Sequence, residues 1–472
     1  MFRKILIANR GEIAVRIIRA CNEMGIRSVA IFSEADRHSL HVKKADESYC
    51  VGSDPLAGYL NVYQIVNLAK ATGCDAIHPG YGFLSENPML AEAAARRGIA
   101  FIGPSPEVIA RMGDKTEARF AMQKAGVPVT PGSDGNVKSE EDALVIAEQL
   151  GYPVMLKATS GGGGRGIRRC DSAADLRRNY ERVISEATKA FGRADVFLEK
   201  CVVNPRHIEV QILADHHGNT IHLYERDCSI QRRNQKLIEI APSPQLDEAQ
   251  RHYIGGLAVI ASKAVGYTNA GTVEFLMDSE DRFYFMEMNT RVQVEHTITE
   301  TITGVDIVVE QIRIAYGLEL RFRQDQVSIR GYAIQFRINA EDPKNNFLPS
   351  FGRISRYYAP GGPGVRVDTA IYTGYTVPPH YDSMLAKVIV WALHWDDVVR
   401  RGQRALQDMG VFGVRTTIPY YLEILHSEEF NKAHFNTGFV EAHPELTGYS
   451  CKRRREDLAV ALAAAIVAHA GL

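Results

Sequence analysis

Cysteine is scarce in this chain. Seven residues in 472 (Cys21, Cys50, Cys74, Cys170, Cys201, Cys228 and Cys451) are odd in number, far apart and without a C-x-x-C pair. That spacing excludes a disulfide framework and a zinc site, and predicts reduced thiols in a cytoplasmic protein. Excess charge is missing too, since 55 Lys and Arg against 56 Asp and Glu leave a formal −1. No global field then draws in nucleic acid or an anionic membrane, and any anionic ligand must be held by local clusters. The longest apolar run, Leu458 to Ala468, falls far short of the ~18–20 residues that cross a bilayer. Met1-Phe2-Arg3-Lys4 leads straight into a strand pattern, with no signal-peptide apolar region. No internal repeat of fixed period occurs.

What is present is ordinary globular composition, 45% hydrophobic and 24% charged. At ~100–200 residues per domain the length predicts about three domains. Lys4 to Ala8 reads as a buried strand, Gly11 to Gly25 as a helix, and Arg27 to Ser33 as a second strand. Strand, helix and strand in ~30 residues make a βαβ unit and a parallel sheet. Its turn, Asn9-Arg10-Gly11-Glu12, lacks G-x-G-x-x-G, which argues against a dinucleotide cofactor. The alternation continues through Asp75–His78 and Ala100–Gly103, and a break falls at Gly103-Pro104-Ser105-Pro106. Two helical stretches follow, then strand-rich sequence from Phe197 to Glu239 and from Thr272 to Glu295. A third region runs from about Gly331 to Pro444, and the tail reads as a helix.

Three patterns carry chemistry. Gly161-Gly162-Gly163-Gly164-Arg165-Gly166 joins two predicted strands, Val154–Lys157 and Ile167–Cys170. It is a hairpin loop, not a Walker P-loop, which needs G-K-[ST]. Glycines let backbone N–H groups approach phosphate oxygens, and Lys157 adds a point charge. Thr272 to Met277 and Arg282 to Asn289, separated by Asp278-Ser279-Glu280-Asp281, form a predicted hairpin. With Met277 opposite Arg282, Glu274 lies opposite Phe285 and diagonal to Glu287. Glu274, Glu287 and Asn289 then share a face, and oxygen-only donors suit Mg²⁺ or Mn²⁺. Glu287, Asn289, Arg291, Gln293 and Glu295 continue at period two, which predicts a strand lining a site. The alternating stretch His207–Gln211, the basic run Gln231 to Lys236 and Arg337 stand as weaker candidates; Arg337 could simply pair with Glu341.

Together with HPGYGFLSEN, MGDK, NPRHIEVQ, ERDCSIQRRNQK, MEMNTRVQVEH, RINAEDP and GYTVPPHYDSM, these stretches resemble the ATP-grasp superfamily, and within it biotin carboxylases, over about 1–445. The resemblance implies an α/β fold with a Rossmann-like N-terminal domain (1–114). It also implies an ATP-grasp domain (115–330, with a mobile glycine-loop lid over about 132–204), a C-terminal α/β domain (331–446) and a helical extension (447–472). It implies formation of carboxyphosphate from ATP and bicarbonate, then carboxylation of biotin, with Mg²⁺ or Mn²⁺ as cofactor. Carried over, Lys115, Lys157, Gly163, Gly164, Glu199, Lys200, Val202, His207, Gln231, Asn234 and Leu276 would contact ATP, together with Glu274 and Glu287. Glu274, Glu287 and Asn289 would hold the metals, and Lys236, Arg291, Gln293 and Val294 the bicarbonate. Glu295 would be the general base, Arg337 would stabilise the biotin enolate, and Tyr81 would pack near the biotin ring.

Asn234 and Thr297 depart from acetyl-CoA-carboxylase-type members, which usually carry His and Pro there. With the tail, they make the chain most similar to biotin carboxylase subunits of two-subunit pyruvate carboxylases. Subunits of acetyl-CoA or 2-oxoglutarate carboxylases are the alternatives. A non-biotin ATP-grasp ligase fits poorly beside HPGYGFLSEN and RINAEDP, and a non-catalytic regulatory subunit could dispense with Arg291 and Glu295. No A-M-K-M biotinylation sequence occurs, so the resemblance implies a carrier and carboxyltransferase on a partner chain. It further implies a homodimer, with neither nucleic acid nor membrane as partner.

Overall fold

The computed structural model describes residues 1–159, 166–191, 195–449 and 455–470. Strands β1 (Lys4–Ile7) and β2 (Arg27–Phe32) pair in parallel around the helix Gly11–Glu23, as the βαβ spacing requires. With β3 (Glu47–Cys50), β4 (Ala76–His78) and β5 (Ala100–Phe101) they form a parallel sheet of order β3-β2-β1-β4-β5. A parallel sheet needs cover on both faces, and the alternation in β1 supplies it. Ile5 and Ile7 pack with Ile13, Ile17 and Ile18 of the first helix. Leu6, Val29 and Ile31 pack on the other side with Ile65, Val66 and Leu90.

Strands β6 (Val154–Ala158), β7 (Ile167–Cys170) and β8 (Val196–Lys200) make a separate antiparallel sheet of order β7-β6-β8. It has its own core, where Val154, Leu156 and Leu198 meet Ala143, Leu176 and Val183 of the helices Glu140–Leu150 and Ala173–Phe191. The two strands expected on either side of the glycine segment are present and pair antiparallel, while residues 160–165, Gly163 and Gly164 included, lie outside the described residues.

The largest sheet has eight antiparallel strands. It runs β13 (Phe283–Asn289), β12 (Asn269–Met277), β9 (Arg206–Ala214), β10 (Thr220–Arg232), β11 (Gln235–Ala241) and β14 (Tyr332–Asn339), then Met384–Ala392 and Val365–Thr369. The sequence break near Gly331 falls inside this sheet, because β11 pairs with β14 and sets Glu239 opposite Gln335. Alternation sorts its residues. Ile208, Val210, Ile212, Val273 and Phe275 face the helix Glu248–Ala264 and form one core. His207, Glu209, Gln211, Thr272 and Glu274 face the other way, in register across β9 and β12.

Two details correct the sequence-based expectation. In the β12–β13 hairpin Met277 pairs with Phe283, and a register shift places Glu274 directly opposite Glu287, not diagonal to it. The Asp278 carboxylate lengthens the turn by accepting the backbone N–H groups of Glu280 and Arg282. The predicted strand also stops at Asn289. Glu86 accepts the Thr290 N–H at 3.2 Å and draws the chain off the ladder. Residues 290–295 are therefore a loop, and Glu295 immediately precedes the helix His296–Thr303. Among the described residues no helix is long and apolar enough to cross a membrane.

Candidate active site

The polar face of the large sheet converges on Lys236. This residue follows a two-residue turn, Arg233-Asn234, in which both residues take positive φ (+49° and +63°). Such a turn matches the twist of the flanking strands and favours Asn. It brings Lys236 Nζ to Glu209 Oε2 (2.5 Å), Glu274 Oε1 (2.9 Å) and Glu295 Oε1 (2.7 Å). Glu274 is thus a fully partnered carboxylate. Its Oε2 bonds His207 Nε2 at 2.7 Å, and Oε1 also accepts from Gln293 (2.6 Å) and Asn289 (2.9 Å). His207, which the resemblance offers as an ATP contact, bonds that carboxylate through Nε2.

Burial raises the Glu274 carboxyl, but Lys236 and His207 override it and hold it well below the usual carboxylate range. Glu295 follows the same logic, with burial outweighed by Lys236, Arg337 and Arg226, and is also lowered. Lys236 loses by burial and gains more from Glu209, Glu274 and Glu295, which keeps it firmly protonated. Lysine and carboxylates in the cluster are therefore charged at neutral pH.

Arg337 stands on the other side of Glu295. Its Nη2 lies 2.9 Å from Glu295 Oε2, and its Nε lies 2.5 Å from Glu239 Oε1. The pairing with Glu341 that the sequence left open does not occur; Glu341 accepts from Asn339 and Ser383 instead. Arg291 turns from Asn289 Oδ1 (2.9 Å) to Glu86 Oε2 (2.9 Å). The base candidate thus has a cation on each flank, Lys236 and Arg337.

A second cluster adjoins the first. Lys157 bonds Glu199, which also takes Arg119 at 3.1 Å. The Glu199 side chain is thereby spoken for. Lys115 lies between the clusters, 3.9 Å from Glu287, and burial lowers its pKa despite Glu287. Lys200 Nζ instead donates to the Gly151 and Tyr152 carbonyls (2.6 and 3.2 Å). Leu276 sits beside His207 in the ladder, and Gln231 beside Lys236. Asn234 is exposed at the turn, and Val202 is half-buried after β8.

The donor set fits a hard divalent cation. Glu274 and Glu287 face each other directly, and Asn289 lies one pleat along the same face. Glu287 is half-exposed, with Lys115 at 3.9 Å. Oxygen donors with an open side are what Mg²⁺ or Mn²⁺ accepts beside phosphates.

Known proteins share this sequence and this fold. Residues 1–109 match the family described as "Biotin carboxylase, N-terminal domain", 114–323 "Carbamoyl-phosphate synthase L chain, ATP binding domain", and 335–442 "Biotin carboxylase C-terminal domain". The chain is 54% identical to the 2-oxoglutarate carboxylase small subunit of Hydrogenobacter thermophilus, over 100% of both chains. The chain belongs to the biotin carboxylase family. It is also 52% identical to a pyruvate carboxylase subunit of Methanothermobacter thermautotrophicus, over 94% of this chain and 90% of that one. Among solved structures, the biotin carboxylase domain dimer of the Hydrogenobacter thermophilus 2-oxoglutarate carboxylase, in complex with MgADP, ADP and bicarbonate, superposes with a TM-score of 0.94. It is 55% identical, covering 96% of this chain and 100% of that one.

Biotin carboxylase motifs led to Glu295, Lys236 and Arg337 but missed the residues that hold them. Arg226 is completely buried and donates to Glu209, Gln211, Thr272, Gln293 and Thr299. Lys387 is equally buried and reaches the Val294 carbonyl (3.0 Å) and Glu12 Oε2 (3.1 Å), while the Tyr81 hydroxyl bonds Glu12. A charged residue inside an otherwise apolar strand, as in Leu385-Ala386-Lys387-Val388-Ile389, was the only available signal.

Proposed function

We propose that this chain is the biotin carboxylase subunit of a two-subunit 2-oxo-acid carboxylase. It uses ATP and bicarbonate to carboxylate biotin carried by a partner chain. The observation that carries the reading is Glu295: a buried, ionised carboxylate clamped at 2.7 Å by Lys236 and at 2.9 Å by Arg337. An ionised carboxylate is in the form needed to accept the bicarbonate proton. Lys236, Arg291, Gln293 and the Val294 backbone hold the bicarbonate. Lys115, Lys157 and His207 line the ATP side with Glu199, Lys200, Val202, Gln231, Asn234 and Leu276, and Gly163 and Gly164 belong to the lid. The lysines offset charge on the transferring phosphoryl group.

Glu274, Glu287 and Asn289 would hold Mg²⁺ or Mn²⁺, which supplies further positive charge to the phosphates. Arg337 accepts the negative charge that develops on biotin, and Tyr81 packs near its ring. Carboxyphosphate forms on the Lys236 side of Glu295 and is consumed on the Arg337 side. Pyruvate and 2-oxoglutarate are the acceptors supported by the two relatives named above. The dimer described for the solved relative supports a homodimer here. The family matches at 1–109, 114–323 and 335–442 support domains at 1–114, 115–330 and 331–446; a lid at about 132–204 and an extension at 447–472 complete the proposed organisation. Among the described residues the six cysteines are free and five are buried, which supports a reducing cytoplasmic setting.

The test is ATP hydrolysis by the purified chain with Mg²⁺ and bicarbonate, with and without free biotin. Turnover should require bicarbonate and rise with biotin. Glu295→Gln should lower it by at least about a hundredfold and leave ATP affinity within about twofold of the native chain. Equal turnover in that variant would remove Glu295 as the base.

A further inference from the structure

Thr297 takes no part in the proposed reaction, yet it is fully buried in the first turn of the helix that follows Glu295. Its hydroxyl donates to Gln335 Oε1. Gln335, also fully buried, donates from Nε2 to Glu239 Oε2 at 2.9 Å. Glu239 Oε1 accepts from Arg337 Nε at 2.5 Å, and Arg337 Nη2 reaches Glu295 Oε2 at 2.9 Å. The chain of bonds runs unbroken from Thr297 to the groups flanking the reaction.

Burial raises the Glu239 carboxyl, while Arg337 Nε donating to Oε1 favours its ionised form. In that form Glu239 can only accept, so Gln335 turns its NH₂ toward Oε2. The amide oxygen is then left for Thr297, whose hydroxyl can donate. A side chain without that hydroxyl strands the oxygen in a fully buried position. Flipping the amide sets its oxygen against the Glu239 carboxylate. Either outcome loosens Glu239, and with it the aim of Arg337.

We propose that Thr297 is a positioning residue for the biotin step: it orients the Gln335 amide, which holds Glu239 so that Glu239 aims Arg337. The proposal rests on the role of Arg337 in the function proposed above. Lys236 meets this chain of bonds only at its far end, on Glu295 Oε1 (2.7 Å), and Arg291 and the ATP side lie outside it, so ATP binding should be untouched.

The experiment compares the native chain, Thr297→Val, Thr297→Ser, Gln335→Met and the Thr297→Val/Gln335→Met double variant. Biotin-dependent ATP cleavage is measured with free biotin and expressed per ATP-binding site, counted by nucleotide titration. Counting sites removes any loss of folded protein from the comparison. Thr297→Val should lower biotin-dependent kcat about tenfold, the effect of about one buried hydrogen bond, with ATP affinity unchanged. Thr297→Ser should keep the native rate. The double variant should be no slower than the slower single variant, because both cut one chain. Should Thr297→Val fail to fold, Gln335→Met reads the same link from its other end.

A native biotin-dependent rate in Thr297→Val or Gln335→Met overturns the proposal. So does an equal loss in the Val and Ser variants, or additive losses in the double variant. A native chain with no biotin-dependent turnover overturns the functional reading itself, and the positioning role with it.

Discussion

The chemistry of this site rests on a lysine that neutralises three acids at once. Glu209, Glu274 and Glu295 all lie within 2.9 Å of Lys236 Nζ, and each is nearly or wholly buried. Removing one partner from a buried charge cluster costs about 3–5 kcal/mol, because the remaining charges stay desolvated. Lys236→Met should therefore abolish turnover and destabilise the fold by about that amount at pH 7. The loss should shrink as pH falls toward about 4.5, where carboxylates freed of their cation take up protons. Urea unfolding of both chains at pH 7 and pH 5 checks it; a cost that does not change with pH would mean the cluster is not electrostatically coupled.

Among the elements, two short turns place the site. The Arg233-Asn234 turn sets the register that carries Lys236 inward, and both residues sit in the left-handed region. Asn tolerates that region, whereas a β-branched side chain pays about 1–2 kcal/mol there. Asn234→Gly should keep stability within error and raise the KM for ATP, because it preserves the turn and removes the side chain that lines the ATP side. Asn234→Val should lose about 1–2 kcal/mol and also bicarbonate affinity, because the strand bearing Lys236 shifts. A KM for ATP unchanged in the glycine variant would leave Asn234 with a turn-forming role alone. The β12–β13 turn works similarly: one Asp278 carboxylate gathers two backbone N–H groups and brings Glu274 opposite Glu287.

Across the molecule, burial has left several histidines neutral. Desolvation lowers His41 and His222 to about 4, and His78 and His296 to about 3. The unfolded chain protonates these rings near pH 6.5 while the folded one does not, so stability falls as pH drops below about 6.5. Buried carboxylates add to the same trend at lower pH. Burial raises Glu300 and Asp36, but neighbouring arginines bring each down to about 2. Their contribution is present above about pH 4.5 and lost as pH falls toward 2. The expected result is progressive acid destabilisation of about 2 kcal/mol per buried histidine between pH 6.5 and 5. Thermal unfolding from pH 8 to 5 measures it, and a flat profile would show that these rings gain water or partners on protonation.

The features legible in the residues alone are local ones. The βαβ unit, the strands β6 and β7 on either side of the glycine segment, and the polar alternation of His207, Glu209 and Gln211 follow from local spacing. The shared face of Glu274, Glu287 and Asn289 was legible too, although through a register that one side chain–backbone turn then changed. The family motifs added the candidate base and cations. Which charge meets which was settled by the packing of strands far apart in the chain. Arg337 could have paired with Glu341, a few residues along, and instead reaches Glu295 and Glu239 from neighbouring elements. Arg226, Lys387 and Thr297 read as strand or helix interior, yet they anchor the site through residues 15 to 375 positions away. Periodicity reports which face a side chain takes, while the partner on that face is set by strand order. Strand order is a property of the folded sheet, and it was here that the chemistry of the site was chosen.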